Sequence, residues 1–270
     1  MNMKLSIVIP SFDHARFLER TLESIWAQRG VDKSDVEVIV IDGGSQDGTL
    51  EVLKRHESRL TYMISEPDGG QTDALIKGIQ RATGDILCWL CSDDLYERDT
   101  LSDVIALFES ETSMEWAYGD SMWIDENDRV LWPKKEIPFN WFIWTNCHNY
   151  IPQPSCFWRR RLYEKVGGLD RAFTVAMDGD LWARFAVQSR PRHIRRVWSR
   201  MRFYEGQRNC GSREVSNVQD RLIRARLGVS YASPSIVWAR WLVAKVLRTA
   251  WKAGTGCYSP TIPFWKRRPQ

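Results

Sequence analysis

Trp89-Leu90-Cys91-Ser92-Asp93-Asp94-Leu95 sets two adjacent carboxylates directly behind an apolar run. Hard divalent cations prefer oxygen ligands, and Mg²⁺ or Mn²⁺ commonly takes one or two carboxylates from the protein and the rest from substrate phosphates and water. Such an ion neutralises the charge that builds on a departing nucleoside diphosphate. Taken alone, the pair equally describes a turn with a helix N-cap. A second cluster, Asp42-Gly43-Gly44-Ser45-Gln46-Asp47-Gly48-Thr49, joins carboxylates to glycines that let the backbone turn sharply against a ligand. Its first aspartate can accept from a base N–H or a ribose hydroxyl, or the whole run is a turn in which Asp47 or Thr49 caps the next helix. A third, Ala176-Met177-Asp178-Gly179-Asp180-Leu181-Trp182, offers two carboxylates, either as a general base or as caps of the Leu181–Val187 helix.

These clusters need a frame, and the apolar pattern supplies one. Leu5–Ile9, Val36–Ile41, Leu60–Ser65 and Ile86–Leu90 read as strands, while Phe17–Gln28, Thr49–Arg55 and Thr72–Arg81 have helical spacing. Strands that are apolar throughout, alternating with helices, predict an α/β fold with a Rossmann-like, mostly parallel sheet and helices on both faces. Ligands in such sheets bind beyond the carboxyl ends of the strands, where Pro10-Ser11, Asp42–Asp47, Asp68–Gln71 and Ser92–Asp94 all fall. After about residue 115 tryptophans, prolines and tyrosines become dense (Trp123, Trp132, Trp141, Trp144, Tyr150, Trp158), serving a core or a flat ligand such as a sugar ring. The expected organisation is a first half over 1–115, a second half of the same domain over 116–220, and a C-terminal tail over 221–270.

Composition narrows the class. With 43% hydrophobic and 27% charged residues the 270-residue chain is neither disordered nor a membrane bundle. Its net charge of +4 conceals an asymmetry: from Arg190 onward 18 Lys and Arg face 3 Asp and Glu, so this part carries +15 and the first 189 residues −11. The six cysteines are scattered, and Cys88 and Cys91 lack the second ligand pair of a zinc site, which makes them core residues. Without a charged-then-apolar leader or a long apolar run, a cytoplasmic protein is expected.

Pro10-Ser11-Phe12, the Asp42–Thr49 turn, Gly84-Asp85 and Ser92-Asp93-Asp94 stand in the order and spacing of family 2 nucleotide-sugar glycosyltransferases, and Glu66-Pro67-Asp68-Gly69-Gly70-Gln71-Thr72-Asp73-Ala74 resembles a bacterial, surface-polysaccharide branch of that family. The resemblance is specific over about 4–96 and continues more weakly to about 185. It implies the A-type glycosyltransferase fold, in which a nucleotide half merges with an acceptor half. On it, Pro10 and Ser11 line the nucleotide pocket, Asp42 reads the base, Asp68 and Gln71 join the donor site, Asp93 holds the ribose or donor sugar, and Asp94 ligates Mn²⁺ or Mg²⁺. Asp178 falls at the family's catalytic aspartate, with Asp180 the runner-up. Direct displacement by a base-activated hydroxyl inverts the anomeric carbon, so an inverting enzyme is expected. The chain departs from the family at Met177 in place of an acidic residue, at Leu75-Ile76 where Arg-Asn is frequent, and at Cys91 where Asn often precedes the Ser-Asp-Asp. No Gln-x-x-Arg-Trp follows Asp178, which argues against a processive synthase.

Gln153, in Gln153-Pro154-Ser155-Cys156-Phe157, and His148 are candidate acceptor-side contacts, and Arg159-Arg160-Arg161 reads as a solvated helix start or a pyrophosphate contact. Ser235–Lys252 reads as a helix with Arg240, Lys245, Arg248 and Lys252 on one side and Leu242, Val243, Val246 and Leu247 on the other. That segregation fits a helix lying on an anionic membrane, or one packed on the body with a solvated basic face. The tail's charge comes with no RNA or DNA motif, so no nucleic-acid partner is expected. The expected partners are a nucleotide-diphosphate sugar, a UDP-sugar foremost, and a saccharide or lipid-linked saccharide acceptor, with peripheral membrane contact. A nucleotidyltransferase would carry a Gly-rich basic loop where Pro10-Ser11-Phe12-Asp13 stands. A non-catalytic nucleotide-sugar binder of the same fold would not need Asp178.

Overall fold

In a computed structural model, which describes residues 3–205, 207, 213–229 and 233–257, the apolar runs Leu5–Ser11 (β1), Val36–Asp42 (β2), Tyr62–Ser65 (β3) and Ile86–Trp89 (β4) form one parallel array in the order β3-β2-β1-β4. Every residue of β1 and β4 is buried, as expected of strands covered on both faces. Between them lie the helices Ala15–Trp26 (α1), Thr49–His56 (α2) and Gln71–Arg81 (α3). The apolar spacing read in the sequence is the buried stripe of α1: Phe17, Leu18, Leu22 and Ile25. Gly78 lets α3 lie flat on the sheet, since a Cβ there would sit 2.3 Å from Val8 Cγ1.

The chain then builds the other half of the same sheet. Leu95–Tyr96 (β5), Thr100–Ser110 (α4), Trp116–Ile124 (β6), Val130–Lys134 (β7), Trp141–Asn146 (α5), Cys156–Arg159 (β8), Arg160–Lys165 (α6), Met177–Gln188 (α7) and Arg192–Arg202 (β9) follow in turn. β8 runs antiparallel to both β4 and β6, and β6 pairs parallel with β9 and antiparallel with β7. The parallel pattern of the first half therefore turns mixed beyond β4, with helices on both sides. The tryptophans of this half are largely core: Trp182 stacks on Trp89 at 5.4 Å and on Trp116 at 5.7 Å, and Trp158 meets Trp182 edge-on. Arg159 is also core, donating to the carbonyls of Met114, Phe108 and Glu111. The solvated helix start expected at Arg159–Arg161 holds for the helix, which begins at Arg160, and for Arg161, which is exposed and pairs with Glu115. It is corrected at Arg159, which is buried against the carboxyl end of α4, while Arg160 donates to Gly84 O.

Two further helices, Arg213–Arg226 (α8) and Pro234–Gly254 (α9), pack on α7 and α5 respectively. The charge segregation of α9 is as read, but its orientation is the reverse of a solvated basic face. Arg248 and Lys252 point inward onto buried Glu136, at 2.7 and 3.1 Å, and Arg240 reaches Asn146 Oδ1. Burial would raise the Glu136 carboxyl, but Lys134, Arg248 and Lys252 together hold it down to about 2. Cys210 and the basic residues Lys266, Arg267 and Arg268 lie outside the described residues.

Candidate active site

At the carboxyl ends of β1 and β4 the chain leaves the sheet, and the groups left there face a cleft of about 690 Å³. Pro10, Ser11, Asp68, Gln71, Asp93, Asp94, Gln153 and Asp178 all line it, bringing together candidates from 169 residues of chain. Ser11 Oγ is buried without a hydrogen-bond partner in the protein, a polar atom left free to meet a ligand.

Three candidates stand elsewhere. Asp42 is fully buried behind the cleft wall, which Gly43 forms instead. Its Oδ2 accepts from Gly44 N, Ser45 N and Ser65 Oγ, and its Oδ1 from Ser45 Oγ at 2.5 Å, so its carboxylate staples the turn to itself and to the end of β3. Asp180 is 2% exposed and paired with Arg184 at 2.6 Å and Arg226 at 3.2 Å, which removes it from proton transfer. His148 is exposed and outside the cleft lining, its Nδ1 3.1 Å from Cys147 Sγ.

The Asp93–Asp94 turn is pinned from a distance of more than a hundred residues. Arg202, at the end of β9, donates its N–H to Asp94 Oδ1 at 2.9 Å and its Nε–H to Asp93 O at 2.8 Å. Its guanidinium lies over the Phe17 ring and pairs with Asp128. Burial and the adjacent Asp93 carboxylate push Asp94 well above the usual carboxylate range. Two buried, adjoining carboxylates fit a divalent cation: ligand atoms of Cys91, Asp93 and Asp94 all lie within 4.8 Å of one another, and the oxygen donors match Mn²⁺ or Mg²⁺.

Asp178 lies in the first turn of α7 and lines the same cleft. Burial raises its carboxyl to about 6, helped by the Asp220 carboxylate and opposed by bonds from Gly179 N at 2.7 Å and Asn149 Nδ2 at 2.9 Å. A carboxylate poised near the working pH is suited to accept a proton.

The sequence reading missed several lining residues. His14 bonds Ser92 Oγ through Nδ1 at 2.6 Å and approaches the Tyr204 hydroxyl through Nε2 at 3.3 Å, and Tyr204 donates to Asp93 Oδ2 at 3.2 Å. His14 carried a usable signal, standing three residues beyond Ser11. Tyr204 and Asn149 carried none, because only the tertiary fold brings them in. Cys91 is a correction: it lines the cleft with its thiol between Gln71 Nε2 at 3.3 Å and Gln153 Oε1 at 3.5 Å, while Cys88 is buried as expected.

Residues 6–167 match the family described as Glycosyl transferase family 2. The chain belongs to that family. A glycosyltransferase of uncharacterised specificity from Mycobacterium tuberculosis is 34% identical over 196 residues, 72% of each chain. A PGL/p-HBAD biosynthesis glycosyltransferase of the same species is 32% identical over 188 residues, 65% of this chain and 66% of the relative. Among solved structures, Staphylococcus aureus TarS 1–349 in complex with UDP-GlcNAc superposes with a TM-score of 0.68 at 17% identity, covering 99% of this chain and 76% of TarS. The mannosyltransferase PcManGT of Pyrobaculum calidifontis, in complex with GDP-Man and Mn²⁺, gives 0.63 at 17% identity over 97% and 77%. At those identities the structural likeness establishes the A-type glycosyltransferase fold, and family membership makes this chain a glycosyltransferase.

Proposed function

We propose that this glycosyltransferase moves a sugar from a nucleoside-diphosphate donor to an acceptor hydroxyl with inversion, using Asp178 as general base. The observation that carries this reading is the placing of an acid pair, Asp93–Asp94, and a third carboxylate, Asp178, on one cleft. Pro10, Ser11, Asp68 and Gln71 bind the nucleotide side, with Ser11 Oγ supplying a desolvated hydroxyl. Asp42 contributes by holding the Gly43–Ser45 turn against that pocket. Asp94, with Asp93 beside it, would hold Mn²⁺ or Mg²⁺, which would supply positive charge for the departing diphosphate. Tyr204 and His14 fix the Asp93 side of the turn, leaving Asp93 to bind the ribose or donor sugar. Asp178 takes the acceptor hydroxyl proton as the new C–O bond forms and the bond to the diphosphate breaks. One displacement from the face opposite the leaving group inverts the anomeric carbon.

Support for the donor class comes from the UDP-GlcNAc and GDP-Man in the TarS and PcManGT complexes, and the proposal favours a UDP-sugar. For the acceptor, the amphipathic α9 supports a saccharide or lipid-linked saccharide, met at the cytoplasmic face of a membrane. Gln153 closes the acceptor side of the cleft, its Nε2 donating to Trp89 O at 2.8 Å. The test is release of nucleoside diphosphate from a panel of nucleotide sugars with Mn²⁺ or Mg²⁺. Release from one donor, abolished by chelator and by Asp94→Ala and cut by about 10²–10⁴ in Asp178→Asn, is expected of a positioned base. Donor release indifferent to Asp178 overturns the base assignment, and absence of metal-dependent donor binding by calorimetry overturns the transfer reading.

A further inference from the structure

The whole charge of α9 resides in Arg240, Lys245, Arg248 and Lys252. Two of these are spent inward on Glu136, and Ala244 on the same side is fully buried. What the helix turns to solvent is an unbroken uncharged arc built on Trp238, Leu242, Val243, Val246 and Leu247, with Trp238 61% and Val246 58% exposed. Arg240 and Lys245 stand at its two edges, the Lys245 ammonium 4.6 Å from the Trp241 ring centre. Arginine and lysine at the rims, an aromatic near the boundary and aliphatics between describe a helix made to lie in a lipid–water interface. No helix among the described residues is long and apolar enough to cross a membrane.

We infer that α9 seats the enzyme on an anionic lipid surface by inserting this apolar arc at the headgroup–acyl boundary, while its inner cations tie it to the body through Glu136. This is a different mode from a basic face laid on lipid headgroups, because those cations are occupied. Charge selects the occupant. From Arg221 to the end of the sequence there are ten Lys and Arg and no Asp or Glu. A second copy docked arc to arc would bring two such segments together with no acid from either to offset them. An anionic bilayer supplies both the apolar phase and the opposite charge.

The inference stands apart from the transfer reading, since it is measured without donor. Full-length protein is sedimented with vesicles of phosphatidylcholine and phosphatidylglycerol and with pure phosphatidylcholine, at low and high salt, beside a Trp238→Ser/Leu242→Ser/Val246→Ser variant. All three sites are exposed, so the variant keeps its fold, checked by circular dichroism and by an unchanged thermal unfolding midpoint. The expected result is binding to anionic vesicles that survives in part at high salt and weakens at least about tenfold in the variant. Three results overturn the inference. One is a variant that binds as the parent does, and another is a parent that ignores vesicles. Light scattering must not show a parent dimer that the variant dissolves, which would assign the arc to a second copy.

Discussion

Removing Asn149 separates the chemistry of Asp178 from its mere presence. The Asn149 amide donates to Asp178 Oδ2 at 2.9 Å, a bond that favours the ionised carboxylate. A hydrogen bond to a charged group contributes about 1.5–3 kcal/mol. At about 1.4 kcal/mol per unit, losing it in Asn149→Ala lifts the Asp178 carboxyl by about 1–2 units. Starting from about 6, it then titrates at about 7–8. The ionised fraction at pH 7 falls from about nine-tenths to between about half and one-tenth, a loss of about two- to ninefold in kcat/KM. The sign is fixed: a base must be deprotonated, so activity rises with pH and the acid limb moves upward, with near-parental rates returning by about pH 9. Asn149 Oδ1 also accepts from Ile151 N at 3.2 Å, and losing that turn contact lowers activity equally at every pH. The assay is kcat/KM against pH for both proteins with the best donor. A uniform loss with the acid limb still near 6 refutes the reasoning.

Asp178→Asn should stabilise the fold while it disables it. The folded carboxyl is raised above its unfolded value, so its cost is absent below about pH 4, grows through about pH 6, and reaches about 1–3 kcal/mol above that. Denaturant unfolding at pH 4 and pH 8 should show the gain only at pH 8. Glu136→Gln should strand Lys134, Arg248 and Lys252 around a neutral amide, costing about 3–5 kcal/mol. Hydrogen exchange should then find α9 released before the rest of the chain unfolds. Mn²⁺ at about a hundred times its dissociation constant should stabilise the parent by about 2.7 kcal/mol, and thermal melts of Asp94→Ala should show no such shift. Gly78→Ala should cost about 1–3 kcal/mol of stability, read in urea, since its methyl must displace Val8 beneath α3.

The first half was legible because its strands advertise themselves: Ser11, Asp68, Gln71, Asp93 and Asp94 each sit where an apolar run ends, and all reach the cleft. Asp42 obeyed the same rule yet turned inward, because four donors from Gly44, Ser45 and Ser65 satisfy its carboxylate, and hydrogen-bond satisfaction is invisible to strand-end logic. Asp178 and Asp180 are two residues apart at one helix start and differ in everything that matters. Arg184, one turn on, was a readable partner for Asp180, whereas Arg226 comes from α8. The wheel of α9 gave two faces without saying which looked outward. That choice was made by Glu136, a lone acid more than a hundred residues away.

The seam between the two halves is narrow: Ile86 and Leu87 of β4 pair with Arg159 and Trp158 of β8. Yet it joins the strand that ends at the acid pair to the strand that begins just after Gln153, and Gln153 bonds back to Trp89 O. Neighbouring strands keep a spacing of about 4.8 Å, so donor and acceptor walls are set by sheet geometry. Side chains such as Gln71 and Gln153 project into the cleft from that frame, so exchanging them is expected to retune substrate choice while Asp93, Asp94 and Asp178 keep their places.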